Sequence, residues 1–193
     1  STNCAKANSS MCNPDVYYLP GRGGSVESGL GEWLTANTNC VAGRSLDAEL
    51  KGLEFNEQVD FIERDILHGP AAVVASSYGA YLFLHALSRV AAFEGHIYLI
   101  SPILGPAIGE GHYFRPPQSK YLAGLIEQNK FPRKLCITAI VGSEDWQSQP
   151  KRVCNTMDAL NGTARVIEGA GHRLPHLDVQ RFLSPLTLNR GFV

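Results

Sequence analysis

The chain has 193 residues, 44% of them hydrophobic and 18% charged, which suits a single globular domain over 1–193 and excludes a disordered chain. Lys and Arg together number 17 against 18 for Asp and Glu, so the formal net charge is -1 and no bulk charge favours nucleic acid or an anionic membrane. The longest apolar runs, such as Ala71–Ala75 and Ile97–Ile100, are too short to span a bilayer, and membrane insertion is not expected.

The N-terminal arm, 1–14, is small and polar from Ser1 to Asn13, without the apolar run of a signal peptide. Cysteines stand at 4, 12, 40, 136 and 154. None forms a C-x-x-C pair, which excludes zinc-ribbon and thioredoxin-type chemistry. Their odd count favours reduced thiols and a cytoplasmic setting. Cys136 sits in an apolar strand pattern and reads as a small core residue, while Cys4 and Cys12 are spaced to bridge the arm without anything demanding it.

In chain order, a first strand over Asp15–Leu19 leads through a Gly-rich turn into a helix over Val26–Ala36. A weak strand near Cys40–Ala42 precedes a helix over Asn56–Leu67, where Val59, Ile62, Ile66 and Leu67 recur at helical spacing and Glu57, Asp60, Glu63 and Arg64 take the wet face. The strand Ala71–Ala75 runs into a helix over Ala80–Ala92. Ile97–Ser101 is next, then the long segment 104–117 and a helix over Ser119–Asn129. Leu135–Val141 pairs with a helix over Lys151–Leu160, and Ala164–Glu168 with one over Leu177–Leu183. Apolar strands alternating with helices predict an α/β three-layer sandwich: a mostly parallel sheet of about six strands, helices on both faces. Ligands in such sheets bind beyond the carboxyl ends of the strands.

Three of those ends carry chemistry. Ala75-Ser76-Ser77-Tyr78-Gly79 is G-x-S-x-G with Ala for the first Gly, set between a strand and a helix. The spacing to Gly79 selects Ser77 as a nucleophile on a strained turn, against the plainer reading of Ser76 and Ser77 as helix caps. Gly169-Ala170-Gly171-His172 offers a general base at His172; His176 competes, and a loop histidine more often has no catalytic role. His68, His85, His96 and His112 read as surface, helix-face or loop residues. Gly142-Ser143-Glu144-Asp145-Trp146 offers a carboxylate to orient the imidazole, Asp145 first and Glu144 left open, against a solvated capping turn.

The order Ser77, Asp145, His172 is that of the α/β-hydrolase triad. In the hydrolase reading, the flexible turn Pro20-Gly21-Arg22-Gly23-Gly24 is expected to offer an oxyanion N–H at Arg22, with Tyr78 N–H as its partner. The same glycines suit a dinucleotide loop poorly, because Val26 stands where a third Gly belongs, and no G-K-[ST] completes a P-loop.

On these motifs residues 15–185 resemble the α/β-hydrolase superfamily, nearest its small, nearly capless serine esterases of the retinoblastoma-binding-protein type. Two departures stand out: Ala75 for Gly, and Pro20-Gly21 where the superfamily usually reads His-Gly. The resemblance implies hydrolysis of a small-molecule ester or thioester, with no metal or organic cofactor. Gly21, Trp146, Tyr113 and Phe114 are the candidate substrate contacts, and 104–117 is either a minimal lid or a surface loop. The reading from another class is a non-catalytic binding module on a hydrolase scaffold.

Overall fold

Strands rich in Val, Ile, Leu and Tyr, buried on both faces, organise this computed structural model, which describes residues 15–188. The N-terminal arm, with any bridge between Cys4 and Cys12, lies outside the described residues. The elements run β1 (Val16–Leu19), α1 (Leu30–Asn37), β2 (Val41–Gly43), α2 (Phe55–Ile66), β3 (Ala72–Ser76), α3 (Tyr78–Leu87) and β4 (His96–Ile100). They continue with β5 (Ala107–Gly109), β6 (His112–Phe114), α4 (Ser119–Glu127), β7 (Cys136–Gly142), α5 (Pro150–Ala159), β8 (Thr163–Ile167), α6 (His176–Phe182) and a 3₁₀ turn over Ser184–Leu186.

Six strands form one sheet in the order β2-β1-β3-β4-β7-β8, every pair parallel. Side chains alternate across it with period two. Tyr17, Leu19, Val73, Ala75, Ile97, Leu99, Ala139 and Val141 pack on one face with Val59 and Ile62 of α2, the whole of α3 except Gly79 and His85, and Val153 and Met157 of α5. Val16, Tyr18, Val74, Tyr98, Ile100 and Ile140 pack on the other with Leu34 of α1 and Phe182 of α6. The expected three-layer α/β architecture is present. The edge strands β2 and β8 are only partly covered, and β8 carries the polar Thr163 and Arg165.

Differences from the expected elements have local causes. The first helix starts at Leu30 because the Val26 N–H donates to Ser45 Oγ at 3.1 Å and Gly29 takes φ +55, both outside a helix. The central helix starts two residues earlier than expected, directly behind Ser77, and ends at Leu87. The segment 104–117 contains a short antiparallel hairpin, β5–β6, whose turn residues Glu110 and Gly111 both have positive φ, 46° and 77°. Two positive φ values are what a tight two-residue hairpin turn requires.

Two side chains depart from their sequence readings. Cys136 is exposed, not core: it opens β7 beside His96 at the amino edge of the sheet, with Sγ 3.6 Å from His96 Nδ1. His85, read as a surface or helix-face residue, is only 3% exposed, its ring lying edge-on to Phe55 and Tyr81. Its Nε2 has no hydrogen-bond partner among the described residues, and burial, with the Arg89 charge, pushes its pKa down to about 4. The ring is therefore neutral at pH 7.

Candidate active site

Because all six strands are parallel, the residues that follow β1, β3, β4, β7 and β8 meet at one edge of the sheet. Ser77 comes straight after β3 with φ 52° and ψ -119°, a left-handed geometry unfavourable for a residue with a Cβ. The turn is held by hydrogen bonds from Ser77 N–H to Ile100 C=O (2.9 Å) and from Ile103 N–H to Ser77 C=O (3.1 Å). Gly79 allows it to be tight: a Cβ there would lie 2.5 Å from the Leu19 carbonyl oxygen. Although Ser77 occupies the N-cap position of α3, its hydroxyl makes no capping bond. Instead Oγ lies 2.8 Å from His172 Nε2.

His172 rides on the loop after β8, which is tied down on two sides. Glu144 N–H donates to Ala170 C=O at 2.9 Å, and Gly169 N–H to Ser143 Oγ at 2.8 Å. From the end of β4, the Ser101 hydroxyl donates to the His172 carbonyl at 2.8 Å. The imidazole Nδ1 faces Asp145 Oδ2 at 2.9 Å.

Asp145 is 1% exposed, and its second oxygen accepts the N–H groups of Gln147 and Ser148, each at 2.9 Å. Burial pushes its carboxyl pKa up, but the bonds from His172 and Ser148 outweigh it and hold the group below the ordinary value. An ionised Asp145 fixes the imidazole proton on Nδ1, so Nε2 accepts the Ser77 O–H. Glu144, the alternative carboxylate, is exposed and meets the loop through its backbone alone. His176 is also exposed, at the first position of α6 on the rim. Sequence reasoning missed two residues here: Ser101, signalled only by following a buried strand, and the fully buried Ser148, whose Oγ lies 3.5 Å from His172 Nδ1.

An open cavity of about 740 Å³ exposes Ser77 and His172. Gly21 lines it and lies close to Ser77: a Cβ on Gly21 would stand 3.0 Å from Ser77 Cβ. Arg22 occupies the turn closed by Gly24 N–H donating to Gly21 C=O. The N–H groups of Arg22 and of Tyr78, the first residue of α3, have no acceptor among the described residues. Phe114 lines the cavity from the hairpin. Trp146 and Tyr113 lie outside the lining. The Trp146 indole packs over Gly109 of β5, and Tyr113 points outward, 62% exposed. Among the described residues no helix is long and apolar enough to cross a membrane, and no His, Cys, Asp or Glu cluster has metal-holding geometry.

No protein-family model and no curated protein matches this sequence. Solved structures do. A thermophilic esterase superposes with TM-score 0.60 at 12% identity, over 90% of this chain and 90% of that one. The esterase domain of a Rhodothermus marinus protein gives 0.57 at 13%, over 89% and 83%. The ydeN gene product of B. subtilis gives 0.57 at 16%, over 88% and 98%. A Paleococcus ferrophilus monoacylglycerol lipase superposes with TM-score 0.52 at 13% identity, over 90% of this chain and 94% of that one. The chain has the α/β-hydrolase fold. Within that fold Ser77 stands at the turn between β3 and α3.

Proposed function

We propose that this protein is a serine hydrolase that cleaves an ester or thioester of a small acyl substrate. The reading rests on the continuous line from Asp145 through His172 to Ser77, with separations of 2.9 and 2.8 Å. Ser77 Oγ attacks the carbonyl carbon as its proton passes to His172 Nε2. The negative charge that develops on the carbonyl oxygen is met by the N–H groups of Arg22 and Tyr78. Collapse breaks the bond to the leaving oxygen or sulfur, which takes the proton from His172 and leaves Ser77 acylated. A water molecule then repeats the sequence: its proton goes to His172, its oxygen to the acyl carbon, and Ser77 departs reprotonated.

Asp145 stays ionised throughout, holds the tautomer and stabilises the imidazolium. The residues needed are all side chains and backbone N–H groups, and the chemistry calls for no metal or organic cofactor. Among the described residues the long segment 104–117 contributes just Phe114 to the lining of an open cavity, which favours a small or exposed ester over a long enclosed lipid. This agrees with the small, nearly capless esterases that the motifs resemble. A fluorophosphonate probe is expected to label Ser77, with the site read by mass spectrometry, and to leave Ser77→Ala untouched. A folded wild-type protein that takes no label would overturn the reading in favour of a binding module.

A further inference from the structure

The polar character of the cavity is one-sided. Its lining residues include Arg22 and Arg173, both exposed to solvent, and no Asp or Glu. Both arginines adjoin residues that touch the nucleophile. Arg22 follows Gly21, which packs on Ser77, and Arg173 follows His172. Consecutive Cα atoms are about 3.8 Å apart, so the backbone of each arginine is one residue from a residue that contacts Ser77.

Neither arginine is ion-paired among the described residues. Asp145 is buried against His172, and Asp47, which accepts the Gly23 N–H at 3.0 Å, makes no ion pair with Arg22. Arg22 is also oriented. Its guanidinium carbon lies 4.5 Å from the centre of the Tyr78 ring and 5.9 Å from that of Phe114. Stacking on aromatic faces occupies the plane of a guanidinium; one edge N–H of Arg22 is shared with the Tyr78 hydroxyl, and a guanidinium has five N–H donors in all, more than that one bond uses. Apolar surface completes the cavity, from Leu30 and Trp33 of α1 and Val179 of α6.

We infer that the substrate is an anionic ester, one carrying a carboxylate or phosphate besides the scissile bond, and that Arg22 and Arg173 select it. The inference rests on the serine-hydrolase reading and adds a specificity to it. Two unpaired cations at the mouth of an apolar site raise the local concentration of anions and hold the bound one by charge-assisted hydrogen bonds. A neutral ester of the same size gains neither contribution, whereas a cationic ester meets like charge.

Two matched pairs of esters test this. 4-Acetoxybenzoate against 4-acetoxybenzamide places the charge on the leaving group; mono-4-nitrophenyl adipate against 4-nitrophenyl hexanoate places it on the acyl group. The readout is the kcat/KM ratio, anionic over neutral, after division by the hydroxide-catalysed rates. For the wild type at low salt the ratio is expected to exceed about tenfold in at least one pair, the size of one charge-assisted hydrogen bond. Added salt should reduce it, and Arg22→Gln and Arg173→Gln should each lower it, with the double variant near unity. Because the readout is a ratio, a loss of turnover common to both esters does not affect it.

A ratio near unity in the wild type, or one insensitive to both substitutions, overturns the inference, while turnover of the neutral esters and fluorophosphonate labelling at Ser77 keep the hydrolase reading intact. Labelling at Ser77 without turnover of any of the four esters overturns the inference too. If nothing is hydrolysed and Ser77 takes no label, both readings fall.

Discussion

The Ser101 hydroxyl, at the end of β4, donates a 2.8 Å hydrogen bond to the main-chain carbonyl of His172. Strand β4 also lies next to β3, whose end presents Ser77, so one neighbour braces both the His172 loop and the Ser77 turn. Ser101 is itself at φ 44°, where a Cβ is unfavourable. Ser101→Gly therefore removes the bond without adding backbone strain. The expected result is a fall in kcat of roughly five- to twentyfold, with KM little changed, from about 1 to 2 kcal/mol of lost positioning. Steady-state kinetics on a short 4-nitrophenyl ester measures it; an unchanged kcat would show that the loop is held elsewhere.

Ser77→Ala is expected to lower turnover of that ester by at least about 10³-fold while leaving the thermal midpoint close to wild type. Ser76→Ala should retain much of the activity, because only Ser77 Oγ reaches His172 Nε2. The reverse pattern would mean that the reacting serine is the one before the turn.

For the two adjacent acids the expectations diverge. Asp145→Asn loses the acceptor that fixes the Nδ1 proton, and a drop of about 10²–10⁴ in kcat follows. Glu144→Gln alters an exposed side chain and should stay within about tenfold of wild type. Stability gives a second readout. The native Asp145 carboxyl titrates below its ordinary value of 3.8, so its contribution is complete above that pH and is lost as pH falls through the lower native value. Denaturation midpoints between pH 6 and 3 should therefore fall less steeply in Asp145→Asn than in the wild type.

His85 gives the opposite group the same sign. Its native pKa of about 4 lies below the ordinary 6.5, so the unfolded chain takes up the proton first. Stability from the neutral ring is whole above pH 6.5 and declines as pH falls towards 4, by an amount on the order of 2 kcal/mol. With Nε2 unpartnered and the ring packed among aromatic side chains, His85→Phe removes this dependence without breaking a hydrogen bond. Melting curves of the two proteins at pH 7 and pH 4.5 should converge at the higher pH and separate at the lower, with the variant more stable there.

Ala71–Ala75 followed by small residues and a helix pattern already specified a strand, a sharp turn and a helix, because those depend on neighbours within a few residues. The parallel sheet followed from strand–helix alternation for the same reason, and with it the edge at which Ser77, Asp145 and His172 stand. The choice among close competitors was a different matter. Ser77 and His172 are 95 residues apart, and whether His172 or His176 reaches Oγ depends on how the loop after β8 is tied to Ser143, Glu144 and Ser101. Asp145 and Glu144 are chemically near-equivalent in sequence; the turn after β7 buries one and exposes the other. Trp146 follows the acid directly, yet it supports the hairpin because Gly109 leaves room for its indole. Local pattern encodes backbone conformation, whereas side-chain partnership is decided by contacts between segments distant in the chain, which only the closed tertiary structure brings within hydrogen-bonding range.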